Sequence, residues 1–468
     1  MNNPHRDIFT NRGLDFRKLK VIGYDMDYTL IHYHVEKWEN IAYQTMSNHL
    51  KENQIDLGNV DFDPDFSIRG LIIDTHLGNL IKACRFGTVK HGMHGLRALS
   101  KQELESQYGK CLIDLADQRF IFLNTLFSLS TSCLYAQLIN ALNQGKLGDQ
   151  HNYLSLIKLL NKAIKHTHLE SKLKNTITSN PNEYIDIDPL TVKTLQEQKA
   201  CGKKLFLATN SDWNYTHHIM SFAITPYLEG KPWQSLFDLI IVGAQKPRFF
   251  HNQDTYKVHP ESGLLSPHYG PIKTDEIYHN CNAHKVEELF QSSGEDILYI
   301  GDHMYADINI SKTAFGWRTC LIIRELENEL LALDRFKKEF VQLTQLRKER
   351  SMLDQKIGQI ELEQTLSDEN DEIIEMSNTV DLLKQDYHKL NLTLRDKVLK
   401  FNQLNNAQWG LLLRSGKNKS HLARQIERYA DIYTSRVSNF HSATPYRHFS
   451  SQRVNLPHDS AWIDLDEC

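Results

Sequence analysis

Two aspartates, Asp25 and Asp27, come directly after the apolar run Leu19–Tyr24. Side chains two residues apart lie on the same side of an extended chain, so the two carboxylates could face one substrate together. Phosphoryl transfer through a covalent intermediate requires a nucleophile and a second group that donates and accepts protons. We predict Asp25 as the nucleophile and Asp27 as the general acid and base. Because isolated Asp-x-Asp pairs are common on protein surfaces, this prediction depends on the accompanying residues.

Hydroxyl, amide and ammonium groups follow two further apolar runs, Leu205–Thr209 and Asp238–Val242. Thr209 and Asn210 stand where a strand should end and helix-forming sequence begins. Such groups can bind phosphate oxygens beside the free N–H groups of a helix start, although capping the helix is their commoner use. Lys246 comes just past the other run. Its compact cation is suited to a crowded anion, and we predict that it neutralises both the nucleophile and the phosphate.

Two more acids, Asp302 and Asp307, follow the apolar run Ile297–Ile300 and a glycine. Magnesium prefers oxygen ligands in octahedral geometry, uses few carboxylates and keeps several waters. We predict a Mg²⁺ cofactor held by the carboxylates of Asp25 and Asp302 and by the main-chain carbonyl of Asp27. Asp307 is predicted to support the site without binding the ion.

The elements that position these residues are short strands that alternate with helix-compatible sequence, such as Trp213–Phe222 and Ala283–Gln291. This alternation predicts an α/β fold with a doubly wound parallel sheet, in which ligands bind beyond the carboxyl ends of the strands. The predicted strands are Leu19–Tyr24, Leu205–Thr209, Asp238–Val242, Ile297–Ile300 and Thr319–Ile323.

The long gap between the first two strands predicts an inserted domain beside the ligand cleft, which we interpret as a cap. Within it, Gly70–Asp74 and Asn79–Ala83 are typical of a strand hairpin, and residues 115–145 and 151–174 have helical patterns. We assign residues 14–32 and 196–325 to the catalytic core, and residues 33–195 to the cap and substrate domain.

Leucine and aromatic residues recur at helical spacing among many charges from residue 326 to residue 405. This pattern predicts two long helices folded as an antiparallel hairpin. The hairpin is either scaffold or a contact between copies of the chain. Residues 406–468 are predicted to form a C-terminal helix, at Lys419–Tyr433, and a tail that packs on the core.

Composition and charge exclude several classes of protein. An apolar fraction of 40% supports a buried core, and 54 basic against 58 acidic residues leave no basic field for nucleic acid. No secretory signal and no apolar stretch of 18 residues is apparent, so we expect no membrane contact and a cytoplasmic location. The cysteines show no CxxC spacing and predict neither a zinc site nor a disulfide framework. They are Cys84, Cys111, Cys133, Cys201, Cys281, Cys320 and Cys468.

These motifs (Asp25 with Asp27, Thr209, Lys246, and Asp302 with Asp307), in this order along the chain, resemble those of the haloacid dehalogenase superfamily of phosphohydrolases, whose core is Rossmann-like. Within it the chain resembles the cytosolic purine 5'-nucleotidase family over most of its length. An aspartate at position 27 implies a phosphatase rather than a dehalogenase. The matching stretches are Asp25–Leu30, Arg69–Leu71, Gly78–Leu80, Phe122–Phe127, Phe206–Asp212, Lys246–Phe250, Tyr299–Asp307 and Arg424–Tyr433.

The resemblance also implies a base-binding segment between cap and core. Asn124 and Phe127 match it, and on a helix they would share one face, with the ring of Phe127 either stacking on the base or packing in the core. Relatives that read a 6-oxopurine have an arginine and, four residues later, an aspartate in the segment aligned with 160–168. This chain has Asn161 and Lys165 there, which weakens the expectation of IMP or GMP as substrate.

Together these features predict a Mg²⁺-dependent 5'-nucleotidase that hydrolyses nucleoside 5'-monophosphates, with purines weakly preferred. The alternatives are a phosphatase for another small phosphomonoester and a nucleotide-binding scaffold protein. The expected partner is a small-molecule nucleotide, neither nucleic acid nor membrane. A homo-oligomer is possible, but the sequence does not decide the oligomeric state.

Overall fold

The protein is described by a computed structural model that covers residues 5–452 except 56, 59, 149, 170, 252, 368 and 369. Within these residues, ten strands form one large sheet. The seven from Ile432–Thr434 to Ile277–His279 are parallel. In spatial order the strands are Phe9–Thr10, Ile432–Thr434, Arg318–Ile322, Ile297–Gly301, Val21–Tyr24, Lys204–Ala208, Leu239–Val242, Ile277–His279, Thr255–Val258 and Leu265–His268.

Both faces of the large sheet are buried, because alternate residues of its strands point into different cores. Ile22 and Tyr24 belong to one apolar cluster, which also contains residues of the helix Trp213–Ala223. Val21 belongs to another cluster, which contains residues of the helix Ala283–Phe290. Helices therefore cover both faces, and the predicted doubly wound α/β fold is confirmed.

The five predicted strands are all present in the large sheet, with ends that differ by one or two residues. The strand Val21–Tyr24 lies at its centre, between Ile297–Gly301 and Lys204–Ala208. Because these neighbours are parallel, their carboxyl ends meet at one edge of the sheet. That edge is where the residues predicted for catalysis follow their strands.

A second sheet lies in the inserted segment, and the described residues contribute five strands to it. The predicted hairpin is confirmed, since Ile72–Asp74 pairs with Asn79–Ala83 in antiparallel fashion. The strands in spatial order are Arg97–Ala98, Val89–His94, Asn79–Ala83, Ile72–Asp74 and Phe120–Phe122. The division of the chain into core, cap, hairpin and tail remains a prediction.

The prediction of a helix over residues 115–145 is wrong for its first part. Phe120–Phe122 is a strand that pairs with Ile72–Asp74, and Leu126–Ser128 forms a short 3₁₀ turn. The helix begins only at Leu129 and ends at Asn143. Pairing with the hairpin supplies main-chain hydrogen bonds that local propensity does not encode, so tertiary structure overrides the helical pattern here.

Two long helices, Lys337–Leu366 and Asn370–Asn402, form the predicted hairpin. The C-terminal prediction needs correction. The helix is shorter, His421–Tyr429, and Ile432–Thr434 then joins the large sheet beside Arg318–Ile322. Residues 453–468 of the predicted tail lie outside the described residues.

The remaining helices connect strands or cover the two sheets. Among the residues that the structure describes, no helix combines the length and apolar composition needed to cross a membrane. The helices are Val35–Glu52, Lys101–Tyr108, Tyr153–Leu169, Ser171–Ser179, Pro181–Tyr184, Pro189–Ala200, Ile310–Phe315, Leu326–Arg335 and Asn439–Ala443. Three small sheets of two strands each pair Ile185–Asp186 with His32–Tyr33, Arg414–Ser415 with Asn418–Lys419, and Leu14–Asp15 with His448–Phe449.

Candidate active site

Asp25 stands at the carboxyl end of the central strand and is almost fully buried. One of its oxygens, Oδ1, lies 2.8 Å from Lys246 Nζ and accepts a hydrogen bond from Met26 N at 2.8 Å. Burial raises the pKa of the Asp25 carboxyl, while the Lys246 cation opposes that rise. The neighbouring acids Asp307 and Asp27 add to it. Among the described residues, Asp25 therefore forms its ion pair with Lys246 alone, in a buried site.

Lys246 is the cation predicted from the sequence at this site, and its ammonium group lies between Asp25 and Asp307. Besides Asp25 it binds Asp307 Oδ1 at 2.7 Å and the hydroxyl of Tyr299 at 3.2 Å. Burial opposes its charge, but the two carboxylates outweigh burial and hold the pKa of Lys246 well above its usual value. Asn210 positions the lysine loop, since its side chain accepts from Lys246 N at 2.6 Å and donates to Lys246 O at 3.2 Å.

Asp27 has two hydroxyl partners that the sequence analysis did not identify. Its Oδ1 accepts a hydrogen bond from the hydroxyl of Tyr33 at 2.5 Å, and its Oδ2 accepts one from Ser211 Oγ at 2.9 Å. Burial raises the pKa of Asp27, and the two hydroxyl donors oppose that rise. Both partners follow a motif residue closely, at Asp27-x₅-Tyr33 and Thr209-x-Ser211, but such spacing does not show which hydroxyl turns inward.

Thr209 and Asn210 are brought to the same edge of the sheet, in different surroundings. Thr209 is fully buried, and its Oγ1 accepts a hydrogen bond from Ser211 N at 3.1 Å. Among the described residues, Asn210 and Ser211 line the cavity in front of Asp25 and Thr209 does not. The next helix, Trp213–Ala223, is capped by Asp212, which accepts from its third N–H group. The residue that caps this helix is therefore Asp212 rather than Thr209 or Asn210.

Three acids form a cluster at this edge. Single carboxylate oxygens of Asp25, Asp302 and Asp307 all lie within 4.8 Å of one another. Burial and the two neighbouring acids hold the pKa of Asp302 well above its usual value. Asp307 accepts from His303 N at 3.0 Å through the oxygen that does not bind Lys246, so both of its oxygens are engaged. The supporting role of Asp307 stays a prediction.

The acid cluster fits a hard divalent cation. Buried carboxylates are unfavourable unless a cation compensates them, and Lys246 is one positive charge against three. Oxygen donors of this kind are the ligands that Mg²⁺ prefers. Asp25 and Asp302 each have one carboxylate oxygen without a hydrogen-bond or ion-pair partner among the described residues, and these two acids would hold the ion.

A cavity of about 360 Å³ opens in front of the acids, and part of its wall comes from the inserted segment. Its apolar wall consists of Trp38, Phe127, Leu173 and Ile177. The rings of Trp38 and Phe127 pack edge to face with centroids 4.5 Å apart. Lys174 adds a cation to this wall and forms an ion pair with Asp212 at 2.5 Å. The cavity therefore has an acidic floor and a wall that is largely apolar and aromatic.

The residues predicted to bind a base are only partly brought to this cavity. Phe127 lines it, but from a 3₁₀ turn rather than a helix, so the expected shared helical face with Asn124 is wrong. Among the described residues, Asn124 does not line the cavity and Asn161 is exposed. The side chain of Lys165 lies outside the described residues.

The helix Ser171–Ser179 lines the cavity where we expected residues 160–168 to lie. Leu173, Lys174 and Ile177 all face the cavity from it. Leucine and isoleucine four residues apart in a polar segment are a helical signal that could have identified this face.

Comparisons with known proteins show relatives over nearly the whole chain. A family model described as the 5' nucleotidase family matches residues 8–461. A 5'-nucleotidase domain-containing protein of Dictyostelium discoideum is 29% identical over 470 residues, which cover 97% of this chain and 75% of that protein.

Solved structures resemble the chain more distantly. An archaeal beta-phosphoglucomutase from Pyrococcus sp. strain ST 04 has a TM-score of 0.31 and 14% identity, covering 66% of this chain and 88% of its own. A haloacid dehalogenase-like family hydrolase from Xanthomonas campestris has a TM-score of 0.25 and 11% identity, covering 65% and 82%.

Proposed function

The chain belongs to the 5'-nucleotidase family and is a phosphoric monoester hydrolase, and from this premise we propose that it hydrolyses nucleoside 5'-monophosphates through an aspartyl-phosphate on Asp25. Family membership confirms the resemblance seen in the sequence motifs. The observation that carries the mechanism is the pairing of Asp25 with Lys246 at 2.8 Å, beside Asp27 and at the floor of a cavity.

In the proposed reaction Asp25 attacks phosphorus with a carboxylate oxygen, and the bond to the leaving nucleoside oxygen breaks. Lys246 offsets the charge of the incoming phosphate and favours the ionised form of Asp25, against the burial that raises the pKa of this carboxyl. Asp27 gives a proton to the leaving oxygen and later takes one from the water that hydrolyses the acyl phosphate. Burial raises the pKa of Asp27, which favours the protonated form that the first step needs. Tyr33 and Ser211 hold its carboxyl group in place.

A divalent cation, Mg²⁺ in our proposal, fits the carboxylates of Asp25 and Asp302. When bound, it would offset repulsion between these acids and an anionic substrate and polarise the phosphoryl group. Asp307 orients Lys246 and the main chain of His303 through its two occupied oxygens. The buried acids thus supply the charge that a cation must balance.

The wall of the cavity supports a nucleoside as the group attached to the phosphate. A planar base is apolar on its faces and stacks well on aromatic rings, and Phe127 and Trp38 offer such rings beside Leu173 and Ile177. A volume of about 360 Å³ is within the range of small-ligand sites. The wall does not favour purine over pyrimidine.

The test is phosphate release from a panel of purine and pyrimidine nucleoside monophosphates with MgCl₂, compared with sugar phosphates. Asp25→Asn removes the nucleophile and should abolish turnover. Asp354→Asn, the same change at an exposed position of the hairpin, is the matched control and should leave the rate unchanged. Equal rates in wild type and Asp25→Asn would contradict the covalent mechanism, and turnover of sugar phosphates alone would contradict the nucleotide substrate.

A further inference from the structure

The helical hairpin buries only one seam and leaves apolar side chains on its outer surface. Leu343 and Ile357 of the first helix and Val380 and Leu394 of the second are buried. Large apolar residues outside this seam are exposed to water. They are Phe340, Val341, Met352, Leu362, Leu366, Ile374, Leu382, Leu392 and Leu399. Singly such residues are ordinary, but nine on one hairpin indicate a surface that another molecule covers.

Charge is divided between the two ends of the hairpin. We define its base as residues 337–350 and 386–402, and its tip as residues 351–366 and 370–385. The base has nine Lys and Arg against four Asp and Glu, whereas the tip has two against seven. The hairpin is therefore basic at the end joined to the rest of the chain and acidic at the free end.

A surface with this polarity is complementary to itself only when two copies lie antiparallel. A twofold axis across the middle of the hairpin places each acidic tip on the other copy's basic base, whereas parallel pairing would oppose like charges. We propose that the hairpin is a docking surface for a second copy of this chain, in antiparallel register. Helices of about 30 residues extend for about 45 Å, which is long enough for an extended contact.

Charge reversal tests the proposal by size-exclusion chromatography with light scattering on the full chain. The tip-reversed variant carries Glu363→Lys, Glu372→Lys, Glu375→Lys and Asp381→Lys, which change the net charge of the tip from -5 to +3. The base-reversed variant carries Lys338→Glu, Lys348→Glu, Lys389→Glu and Lys400→Glu, which change the net charge of the base from +5 to -3. All eight residues are exposed. Each variant alone should have half the molar mass of the wild type, because each now opposes like charges.

Mixing the two variants should restore the wild-type mass, because the basic tip of one then meets the acidic base of the other. A monomeric wild type would overturn the proposal, which would leave a different protein as the occupant. Reversal variants with unchanged mass would overturn it as well. A mixture that stays at half mass would exclude the antiparallel register. Circular dichroism of each variant confirms that the hairpin is still helical.

Arg69 provides an independent observation beside the acid cluster. Its Nη1 donates to the main-chain carbonyl of Asp302 at 3.2 Å, although the two residues lie 233 positions apart. Its Nη2 forms an ion pair with Glu325 at 2.8 Å, and its side chain is 1% exposed. A charged side chain this deeply buried is costly unless each contact is maintained. The guanidinium therefore joins the inserted segment to the loops after two strands of the large sheet.

The contact with Asp302 bears on the ion predicted at that residue. A carboxylate ligand must be held within a few tenths of an ångström, and groups that orient ligands commonly affect metal affinity 10- to 100-fold. We propose that Arg69 is a positioning residue that holds Asp302 for cation binding. This second proposal rests on the proposed function, because it requires that Asp302 binds Mg²⁺.

Calorimetric titration of the chain with MgCl₂, without substrate, tests the role of Arg69. Arg69→Ala should weaken Mg²⁺ binding by about 10- to 100-fold. Arg69→Lys should have a smaller effect, since one ammonium cannot hold the carbonyl and the carboxylate as a planar fork does. Arg324→Ala is the matched control. Arg69 and Arg324 both line a second cavity, of about 420 Å³, but Arg324 binds Asp186 and Glu327 rather than Asp302.

Thermal unfolding of each variant identifies those that are folded. Unchanged Mg²⁺ affinity in folded Arg69→Ala would overturn the proposal. If Arg69→Ala does not fold, unchanged affinity in Arg69→Lys would overturn it. Equal weakening by Arg324→Ala would do so too, because the effect would then be general. A wild type that binds no Mg²⁺ would instead contradict the metal site of the proposed function.

Discussion

Gly301 stands at the end of a central strand, where adding one methyl group would displace a residue of the acid cluster. A Cβ atom built on Gly301 lies 2.5 Å from both Cβ and Cγ of Asp307. Carbon atoms in contact stay about 3.5–4.0 Å apart, so one group must move by about 1 Å. The main chain of Gly301 is held by the neighbouring strand, where it pairs with Leu321. The carboxyl group of Asp307 must therefore yield.

We predict that Gly301→Ala lowers kcat/KM by about 100-fold, since a misplacement of about 1 Å commonly costs that factor. This corresponds to about 2.7 kcal/mol in the barrier. The physical reason is that Asp307 orients Lys246 at 2.7 Å, and Lys246 orients the nucleophile. Overpacking should also lower the free energy of unfolding by about 1–3 kcal/mol. The assay is steady-state phosphate release from the best nucleotide of the panel, with thermal unfolding measured beside it.

Gly358→Ala is the matched control for this change. Gly358 lies within the helix Lys337–Leu366, and an added Cβ meets no atom within 4 Å. It should leave kcat/KM unchanged and stabilise the chain by about 0.5–1 kcal/mol. A Gly301→Ala variant that is folded and within twofold of wild type would refute the reasoning. The position of Asp307 would then not matter for turnover.

Three further predictions concern the cavity wall and an ion-pair network. Lys174→Met should raise KM for nucleotides about tenfold with a smaller change in kcat, measured by steady-state kinetics, because it removes a cation from the wall. Phe127→Leu should raise KM for nucleotides about 3- to 10-fold and leave glycerol phosphate, which has no ring, unaffected. The pKa of Glu327 is about 2 rather than 4.5, because its bond to Arg436 and the charge of Arg324 outweigh burial. Its contribution to stability is complete above pH 4.5 and is lost as pH falls towards 2. Urea midpoints should therefore fall over that window less in Glu327→Gln than in wild type, and parallel curves would contradict this.

Much of the fold was predictable because its strands are continuous apolar runs. A strand buried on both faces must be apolar throughout, as Val21–Tyr24 and Leu239–Val242 are. The strand Ile432–Thr434 was not predicted, since three residues contain too little pattern to distinguish a strand from the end of a helix. Likewise Phe120–Phe122 is a strand only because Ile72–Asp74 supplies its partner.

The gathering of the predicted site residues was also foreseeable from the order of motifs. Asp25, Lys246 and Asp302 each follow a strand, and parallel neighbouring strands bring their carboxyl ends together. The base-binding residues could not be placed in this way. Loops and cap helices have no common edge that collects them, so the alignment of Asn161 with the cavity failed while Leu173 faces it.

The sequence by itself determined the type and order of the groups at the site, namely two acids, a lysine and two further acids at the ends of strands. Tertiary structure alone decided which groups contact one another. The hydroxyls of Tyr33 and Ser211 meet at Asp27 although they belong to different segments. The physical reason is that a side-chain hydrogen bond forms only when the donor–acceptor distance is correct to within a few tenths of an ångström. The spacing of residues along a strand sets the side on which each side chain lies, whereas the packing of the whole chain sets the distances between side chains.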